Sequence, residues 1–211
     1  MRSKLITLAV SLAVSAALAT ACTSTTGGAA SPAPSDSPSS GASSADPEVP
    51  KVAQALDAGK YVGDPCGLVP KDLLTSLRYT DAGESHPAGN TPLTEAGPSC
   101  AWKIKGEGIG AQVILGTGNR ENGTGGLAGQ YAAYRDGRIV KFLERAPDVD
   151  GYPAIYFDAV DERSMGTCTL AVGIADDLSF SVQAQGYQGQ DDSCGTATRM
   201  AAAVIKTLKG A

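Results

Sequence analysis

The chain has 211 residues, with 22 acidic and 17 basic side chains, so its formal net charge at pH 7 is −5. An acidic chain without a stripe of lysine and arginine lacks the electrostatic footprint of a nucleic-acid-binding protein, and an anionic lipid surface would not attract it. Of the five cysteines, the four between residues 51 and 211 are typical of a protein from an oxidising compartment.

The first 21 residues have the pattern of an export signal. Arg2 and Lys4 precede an uncharged, mostly apolar run over 5–18, which is shorter than the roughly 20 residues that a membrane-spanning helix needs. Small residues at 19–21 follow and lead directly to Cys22, an arrangement that resembles a bacterial lipobox. We therefore predict a lipoprotein signal peptide over residues 1–21. The alternative is an ordinary secretory signal that is cleaved near position 19 or 21.

Cys22 is predicted to be the lipid-bearing first residue of the mature chain. Lipid on this thiol explains the odd number of cysteines, because Cys66, Cys100, Cys168 and Cys194 then remain as an even set. Two or more acyl chains hold a protein firmly on a membrane, whereas one chain does not. The sequence thus predicts a protein on the extracytoplasmic face of the cell membrane. Without residues 1–21 it has 15 basic and 22 acidic residues, a net charge of −7.

Residues 22–50 are predicted to form a disordered tether behind this anchor. Serine, threonine, alanine, glycine and proline dominate the segment, and it contains no aromatic residue. Such a composition cannot bury enough apolar surface to offset the entropy of ordering the chain. Residues 51–211 are then long enough for a single globular domain.

Hydrophobic periodicity predicts a series of short elements in this domain. In chain order they are a helix over 70–77, an irregular loop over 80–98, a hairpin of strands over 100–105 and 109–115, a helix over 124–134, strands over 138–143 and 154–158 with a break at 151–154 between them, a hairpin of strands over 167–174 and 178–185, and a helix over 191–208. Strands and helices do not alternate regularly. We therefore predict the α+β class, with an antiparallel sheet packed against helices.

Four short motifs accompany these elements: Asp64-Pro65-Cys66-x-Leu68, Cys100-x-Trp102, Gly151-x-Pro153-Ala154 and Asp192-Ser193-Cys194. Together with the lipobox and the Ser/Pro-rich tether, they resemble an actinobacterial lipoprotein family, the domain of unknown function 3558. The resemblance extends from about residue 52 to residue 208. It implies a lipoprotein of the cell envelope, and it implies no activity because the family has no agreed one.

The four cysteines of the domain allow three disulfide pairings. We favour Cys66–Cys100 with Cys168–Cys194, because the hairpin between the last two cysteines returns the chain to the end at which it began. The rival pairing joins Cys66 to Cys194, which would link the two helix starts, and Cys100 to Cys168. Loops of these lengths would each contribute roughly 3.5–4 kcal/mol in the chain-entropy account of disulfides.

The sequence contains few groups that could perform catalysis or bind a metal. His86 is the only histidine, and no Gly-x-Ser-x-Gly motif is present, so we interpret His86 as a solvated loop residue. The acidic segment 148–151 begins like a calcium loop but has Tyr152 and Pro153 where a ligand and a glycine are required, so it is predicted to be a turn. The glycine-rich stretches match no phosphate-binding motif. We predict no catalytic residue, no metal and no cofactor.

Aromatic residues remain as candidates for binding. Trp102 and the helically spaced pair Tyr131 and Tyr134 are predicted to belong to the core. Four aromatic residues are considered as possible ligand-facing positions: Trp102, Tyr131, Tyr152 and Tyr156. The leading hypothesis for function is a non-catalytic binding or interaction module of the cell envelope, with an envelope protein or a small ligand as partner. The second is a carrier of an acyl chain or a glycan, with a cavity lined by Leu127, Tyr131 and Phe142. The third is an unrecognised hydrolase that uses His86 or an acidic pair.

Overall fold

The computed structural model describes residues 49–89, 91 and 94–210. The predicted signal peptide, Cys22 and the tether up to residue 48 lie outside the described residues. So do Asn90, Pro92, Leu93 and Ala211.

The described part of the chain forms one seven-stranded antiparallel sheet with four α-helices, as the α+β prediction requires. The strands lie in the order β1-β2-β3-β7-β6-β5-β4. Their bounds are β1 Glu84–His86, β2 Ser99–Ile104, β3 Ile109–Leu115, β4 Phe142–Val149, β5 Tyr152–Asp158, β6 Cys168–Ala175 and β7 Leu178–Gln185. The helices are α1 Lys71–Ser76, α2 Thr117–Glu121, α3 Gly126–Asp136 and α4 Gln190–Lys209.

The main core lies between α4 and one face of the sheet. Residues that alternate along the strands point to this face, as the period of two in a strand demands. Met200, Val204 and Ile205 of α4 are fully buried against them. The sheet side of the same cluster includes Trp102, Val113, Leu170, Val172, Phe180 and Val182.

A smaller core lies on the opposite face, under α3. Leu127 and Tyr131 of this helix pack on Ile155 and Ala171, the strand residues that alternate with those of the main core. Half-buried Val49, the first described residue, joins this smaller cluster. The chain next runs along the turn between β6 and β7, where the Val52 amide donates a hydrogen bond to Asp176 Oδ1 (3.2 Å).

Two tight turns have residues that suit their backbone conformation. Asp176 and Asp177 connect β6 to β7 as the sequence predicted, with Ala175 directly opposite Leu178. Asp150 and Gly151 connect β4 to β5, and both have positive φ values, 49° and 86°. A two-residue hairpin favours this left-handed backbone, and glycine adopts it without strain. The turn predicted over 148–151 is therefore limited to Asp150 and Gly151, because Asp148 and Val149 still belong to β4.

Three sequence predictions were wrong in detail. The loop over 80–98 is not wholly irregular, because β1 pairs with β2 at the edge of the sheet. The strand predicted over 138–143 occupies Phe142–Val149 instead, because Gly137 ends α3 in a left-handed conformation and the next residues connect the two elements. The predicted break at 151–154 is limited to the turn, and β5 already begins at Tyr152.

Two disulfides fasten the helical segments to the sheet. Cys66 of the short 3-10 helix Pro65–Leu68 is bonded to Cys100 of β2, with Cα atoms 5.0 Å apart. Cys168 at the start of β6 is bonded to Cys194 in the first turns of α4, with Cα atoms 5.1 Å apart. The favoured pairing is thus confirmed, and the rival pairing is wrong.

Candidate functional site

Trp102 and Tyr152 are core residues rather than ligand-facing ones. Trp102 is 1% exposed and lies beside the Cys66–Cys100 disulfide, on the sheet face that α4 covers. Tyr152 is 5% exposed, and Nζ of Lys209 lies 4.9 Å from the centroid of its ring. A ligand could reach neither ring without opening the core.

Tyr156 belongs to a cluster centred on Arg163, which we call the Arg163 cluster: Phe142, Glu144, Tyr156, Asp161 and Arg163. The guanidinium carbon lies 4.5 Å from the ring centroid of Phe142 and 5.2 Å from that of Tyr156. Its nitrogens donate hydrogen bonds to both oxygens of Glu144 (3.2 and 2.9 Å) and to both of Asp161 (2.8 and 2.8 Å). These bonds hold the pKa of Asp161 below its usual range and raise that of Arg163. The guanidinium donors and the carboxylate oxygens of the cluster are hydrogen-bonded to one another, which is typical of a structural role.

His86 lies in β1, directly opposite Ser99 of β2. Ser99 is buried, and its hydroxyl accepts a hydrogen bond from Nε2 of Gln112 (3.1 Å). Within the described part of the chain, the side chain of His86 has one polar neighbour, the carboxylate of Glu84 at 3.8 Å. The hydrogen-bonded serine and histidine that acyl transfer requires are therefore not assembled among these residues.

The remaining polar groups suggested by the sequence have structural partners. Asp148 accepts a hydrogen bond from Nη2 of Arg145 (2.7 Å). The described residues contain no group of three or more histidine, cysteine or acidic side chains that could hold a metal ion. Burial and a 2.7 Å hydrogen bond to the hydroxyl of Tyr187 raise the pKa of Tyr79.

One surface cleft combines aromatic and cationic side chains, and we call it the α3–β4 cleft. It lies between the second half of α3 and the edge strand β4, and it has a volume of about 480 Å³. Five residues line it: Tyr131, Tyr134, Arg135, Leu143 and Arg145. This volume and this mixture of aromatic rings with a few polar groups are typical of small-ligand sites.

The local sequence places these five side chains together. Tyr131, Tyr134 and Arg135 are three and four positions apart on α3, so they share one side of the helix. Leu143 and Arg145 are two positions apart on β4 and therefore point to the same face of the sheet. This is the face of the sheet that α3 covers, where Leu143 packs against the smaller core.

Two basic side chains line the cleft although the chain as a whole is acidic. Arg135 and Arg145 bring two guanidinium groups to it from two different elements. Arg145 uses Nη2 to bind Asp148, and its guanidinium group has further N–H donors besides this one. The side chain of Arg145 is 46% exposed, so those donors are accessible.

Tyr131 forms the floor of the cleft. It is only 8% exposed, yet its hydroxyl has no hydrogen-bond partner among the described residues. The one buried side-chain polar atom without a partner in the described part is Nε1 of Trp102, so the Tyr131 hydroxyl is still accessible. The residue thus presents a polar atom at the base of a largely apolar wall.

Two other concave surfaces are lined differently. One, of about 650 Å³, lies along the outer side of α3 and is bordered mainly by glycine, alanine and exposed Ile139. Another, of about 500 Å³, lies beside α1 and Cys66. Neither brings two cations and two aromatic rings together, so the α3–β4 cleft is the better candidate for a binding site.

The cavity predicted for a ligand carrier is not formed by the residues that we named for it. Leu127 and Tyr131 fill the space under α3, while Phe142 points to the opposite side of β4 and stacks on Arg163. Of the four aromatic residues considered as ligand-facing, Tyr131 is the one that borders the α3–β4 cleft.

Sequence reasoning missed four of the five residues of the cleft. The helical spacing of Tyr131 and Tyr134 was visible, but it was interpreted as a core pattern. Arg145 was missed because the strand was predicted to end at Leu143. The alternation of Leu143 and Arg145 beyond that point, had it been followed, would have placed both side chains on one face.

No helix in the described ranges has the length and hydropathy needed to cross a membrane. Neither the curated proteins nor the solved structures contain a significant match to the chain. A family described as "Protein of unknown function (DUF3558)" matches residues 17–207, which is nearly the whole sequence. The chain therefore belongs to this family of proteins of unknown function.

Proposed function

We propose that the protein is a lipoprotein anchored through Cys22 on the extracytoplasmic face of the cell membrane, where it acts as a non-catalytic binding module that presents the α3–β4 cleft. The proposal combines three parts: an anchor, a compartment and a binding role. Each part has its own support.

The observation that carries the proposal is the pairing of the cysteines. The four cysteines of the domain are bonded to one another in two disulfides. The chain has five cysteines, so Cys22 has no other cysteine of this chain to pair with. An unpaired thiol directly after a row of small residues is the position at which bacterial lipoproteins are acylated.

The compartment is supported by the same disulfides. Disulfides of this kind persist outside the reducing cytosol, and both of these are buried or nearly so, which favours a permanent structural role. The predicted export signal and the two disulfides therefore both favour a location outside the cytosol.

The non-catalytic part is supported by the surroundings of the most reactive side chains. His86 has no hydroxyl or thiol partner among the described residues, and the Arg163 cluster binds its own carboxylates. The α3–β4 cleft offers recognition groups, namely rings and guanidinium donors, instead of a nucleophile and a base.

Anchoring is tested by replacing the thiol. We expect Cys22→Ala to lose the added acyl mass and to move from the membrane fraction to the soluble fraction or the medium. Intact-mass spectrometry and membrane fractionation measure the two effects. Thr23→Ala is the matched control, because it changes the neighbouring residue and leaves the thiol in place. Wild-type protein that carries no fatty acid and leaves the membrane on washing would overturn the proposal.

A further inference from the structure

We propose that the α3–β4 cleft binds one ring of an uncharged saccharide. This inference rests on the binding role proposed above and specifies its ligand. It follows from the compensated charges of the cleft, from an unpartnered hydroxyl group at its floor and from an accessible aromatic ring at its mouth.

The arginines of the cleft do not call for a charged ligand, because both are already engaged. Nη2 of Arg145 donates a hydrogen bond to Oδ1 of Asp148 (2.7 Å), and Arg135 is not without a partner either. The guanidinium group of Arg145 keeps further N–H donors, and its side chain is 46% exposed. The Arg145–Asp148 pair therefore offers hydrogen bonds without a net charge, which suits a ligand that is polar and neutral.

The floor of the cleft offers a hydroxyl group to a polar ligand. Tyr131 is only 8% exposed, because its ring packs with Leu127 and Ile155 in the smaller core. Its hydroxyl has no hydrogen-bond partner among the described residues, whereas the hydroxyl of Tyr79, another buried tyrosine, is bonded to that of Tyr187. A phenolic hydroxyl both donates and accepts, so this one can exchange a hydrogen bond with a ligand hydroxyl.

The apolar part of the lining suits the face of a sugar ring. Tyr134 is 42% exposed and lies one helical turn from Tyr131, so its ring is accessible at the mouth of the cleft. Leu143 adds an aliphatic surface from β4. A pyranose has C–H groups on its face and hydroxyl groups around its rim, which match an aromatic wall bordered by hydrogen-bonding groups. An acyl chain has no hydroxyl groups and would leave those of the cleft unused.

The neighbouring edge of the sheet disfavours an extended peptide. A peptide would gain affinity by adding a strand to β4, the edge strand that borders the cleft. Pro147 has no amide hydrogen to donate, and the register of β4 shifts between Ala146 and Val149. Such irregularities protect an edge from strand addition.

Titration calorimetry on the mature full-length protein tests the inference, in micelles of a detergent without a sugar head group. The neutral probes are the N-acetylglucosamine tetramer, cellotetraose and mannotetraose. Tetragalacturonate adds a charge to the sugar, and tetraglycine has hydrogen-bonding groups without a sugar ring. We expect at least one neutral tetrasaccharide to bind about tenfold more tightly than tetragalacturonate and tetraglycine.

Salt dependence separates a neutral ligand from an anionic one. Between about 0.1 M and 1 M salt, the screening length falls from roughly 10 Å to 3 Å. Because the charges of the cleft are compensated, we expect the affinity for the neutral tetrasaccharide to change less than about twofold over this range.

Variants connect this binding to the cleft. Tyr131→Phe removes a single hydroxyl group and should weaken binding about fivefold. Tyr61→Phe is the matched control, because Tyr61 packs against the main core on the other face of the sheet, and it should leave the affinity unchanged. Tyr134→Ala should weaken binding about tenfold, whereas Tyr134→Phe keeps the ring and should bind like the wild type. Arg145→Lys keeps the charge but loses the planar donors, so it should weaken binding about fivefold.

The contrary outcomes are distinct. The inference fails if no neutral tetrasaccharide binds, if tetragalacturonate or tetraglycine binds as tightly, if salt weakens binding about tenfold, or if Tyr131→Phe and Tyr134→Ala bind like the wild type. Circular dichroism and thermal unfolding of each variant show whether it is folded. Binding of another probe that depends on Tyr134 would retain the proposed binding role and overturn the ligand class alone. Membrane fractionation of the same samples reports separately on the Cys22 anchor.

Discussion

Gly83 shows how closely a single residue is fitted to the disulfide core. Its φ of +89° lies in the left-handed region, and a Cβ at this position would stand 2.5 Å from Nε1 of Trp102 and 2.7 Å from Sγ of Cys100. The indole is fully enclosed, so it cannot move aside without disturbing the Cys66–Cys100 disulfide. Glycine is therefore required here for both conformation and space.

We expect Gly83→Ala to lower the free energy of unfolding by about 2–4 kcal/mol, since a strained backbone and an overpacked core act together. Gly106→Ala is the control. It also has a positive φ, +79°, but a Cβ there would meet nothing within 4 Å, so the loss should be about 1 kcal/mol. Urea unfolding of both variants measures the difference. Equal losses would show that space around Trp102 does not matter.

At the scale of elements, the Arg163 cluster holds a connection against the sheet. Arg163 belongs to the short 3-10 helix Arg163–Met165, which lies between β5 and β6. Its side chain is only 10% exposed and reaches Glu144 of β4, 19 residues earlier in the chain. The connection is thereby fixed to the edge strand that borders the α3–β4 cleft.

We expect Arg163→Gln to destabilise the fold by about 2 kcal/mol, because two carboxylates lose charge-assisted hydrogen bonds and two rings lose their cation. Arg199→Gln is the control, since Arg199 is exposed and donates one hydrogen bond to Ser76. Its effect should stay within about 0.5 kcal/mol. Denaturant midpoints at neutral pH give both values, and an Arg163→Gln midpoint equal to that of the wild type would contradict a structural role.

The elements that could be predicted from sequence are those with a clear pattern of apolar residues along the chain. Strand β6 is almost continuously buried, strand β7 alternates apolar and polar residues, and an acidic two-residue turn joins them. Their predicted bounds therefore differ from the structure by about one residue. Helix α4 combines a buried stripe with acids at its start and lysines at its end, and it was predicted almost completely. The disulfide pairing followed from these elements.

The elements that could not be predicted lie at the sheet edges. β1 has three residues, too few to show a period, and its pairing with β2 depends on the tertiary fold. β4 contains Glu144, Arg145, Pro147 and Asp148, residues that are uncommon in strands, and its bulge interrupts the alternation. Because β4 forms one wall of the α3–β4 cleft, the candidate site was also missed.

For the whole molecule, stability should depend on acid pH through two aspartates. Hydrogen bonds from Arg163 hold the pKa of Asp161 below its usual range, and a hydrogen bond from Arg120 does the same for Asp177. A carboxylate whose pKa is lower in the folded state contributes stability above its unfolded-chain pKa of about 3.9. That contribution is lost as the pH falls through the folded value.

We therefore expect the free energy of unfolding to decrease as the pH is lowered from about 4. The decrease from these two groups is modest, because both carboxylates are more than one-third exposed to solvent. Guanidinium chloride unfolding between pH 2 and pH 7 measures it. The double variant Asp161→Asn with Asp177→Asn should have a shallower slope in the acid range, and an unchanged slope would contradict this origin.

The position of Val49 has a practical consequence for labelling. Val49 packs in the same small cluster as Tyr131 and Leu143, while Lys209 closes α4 on the opposite face of the sheet. We expect a fluorescent protein or bead attached close to residue 49 to lie beside the α3–β4 cleft and to obstruct it. The same reporter fused after residue 210 would leave that surface open, so immobilisation and imaging should both use the carboxyl end.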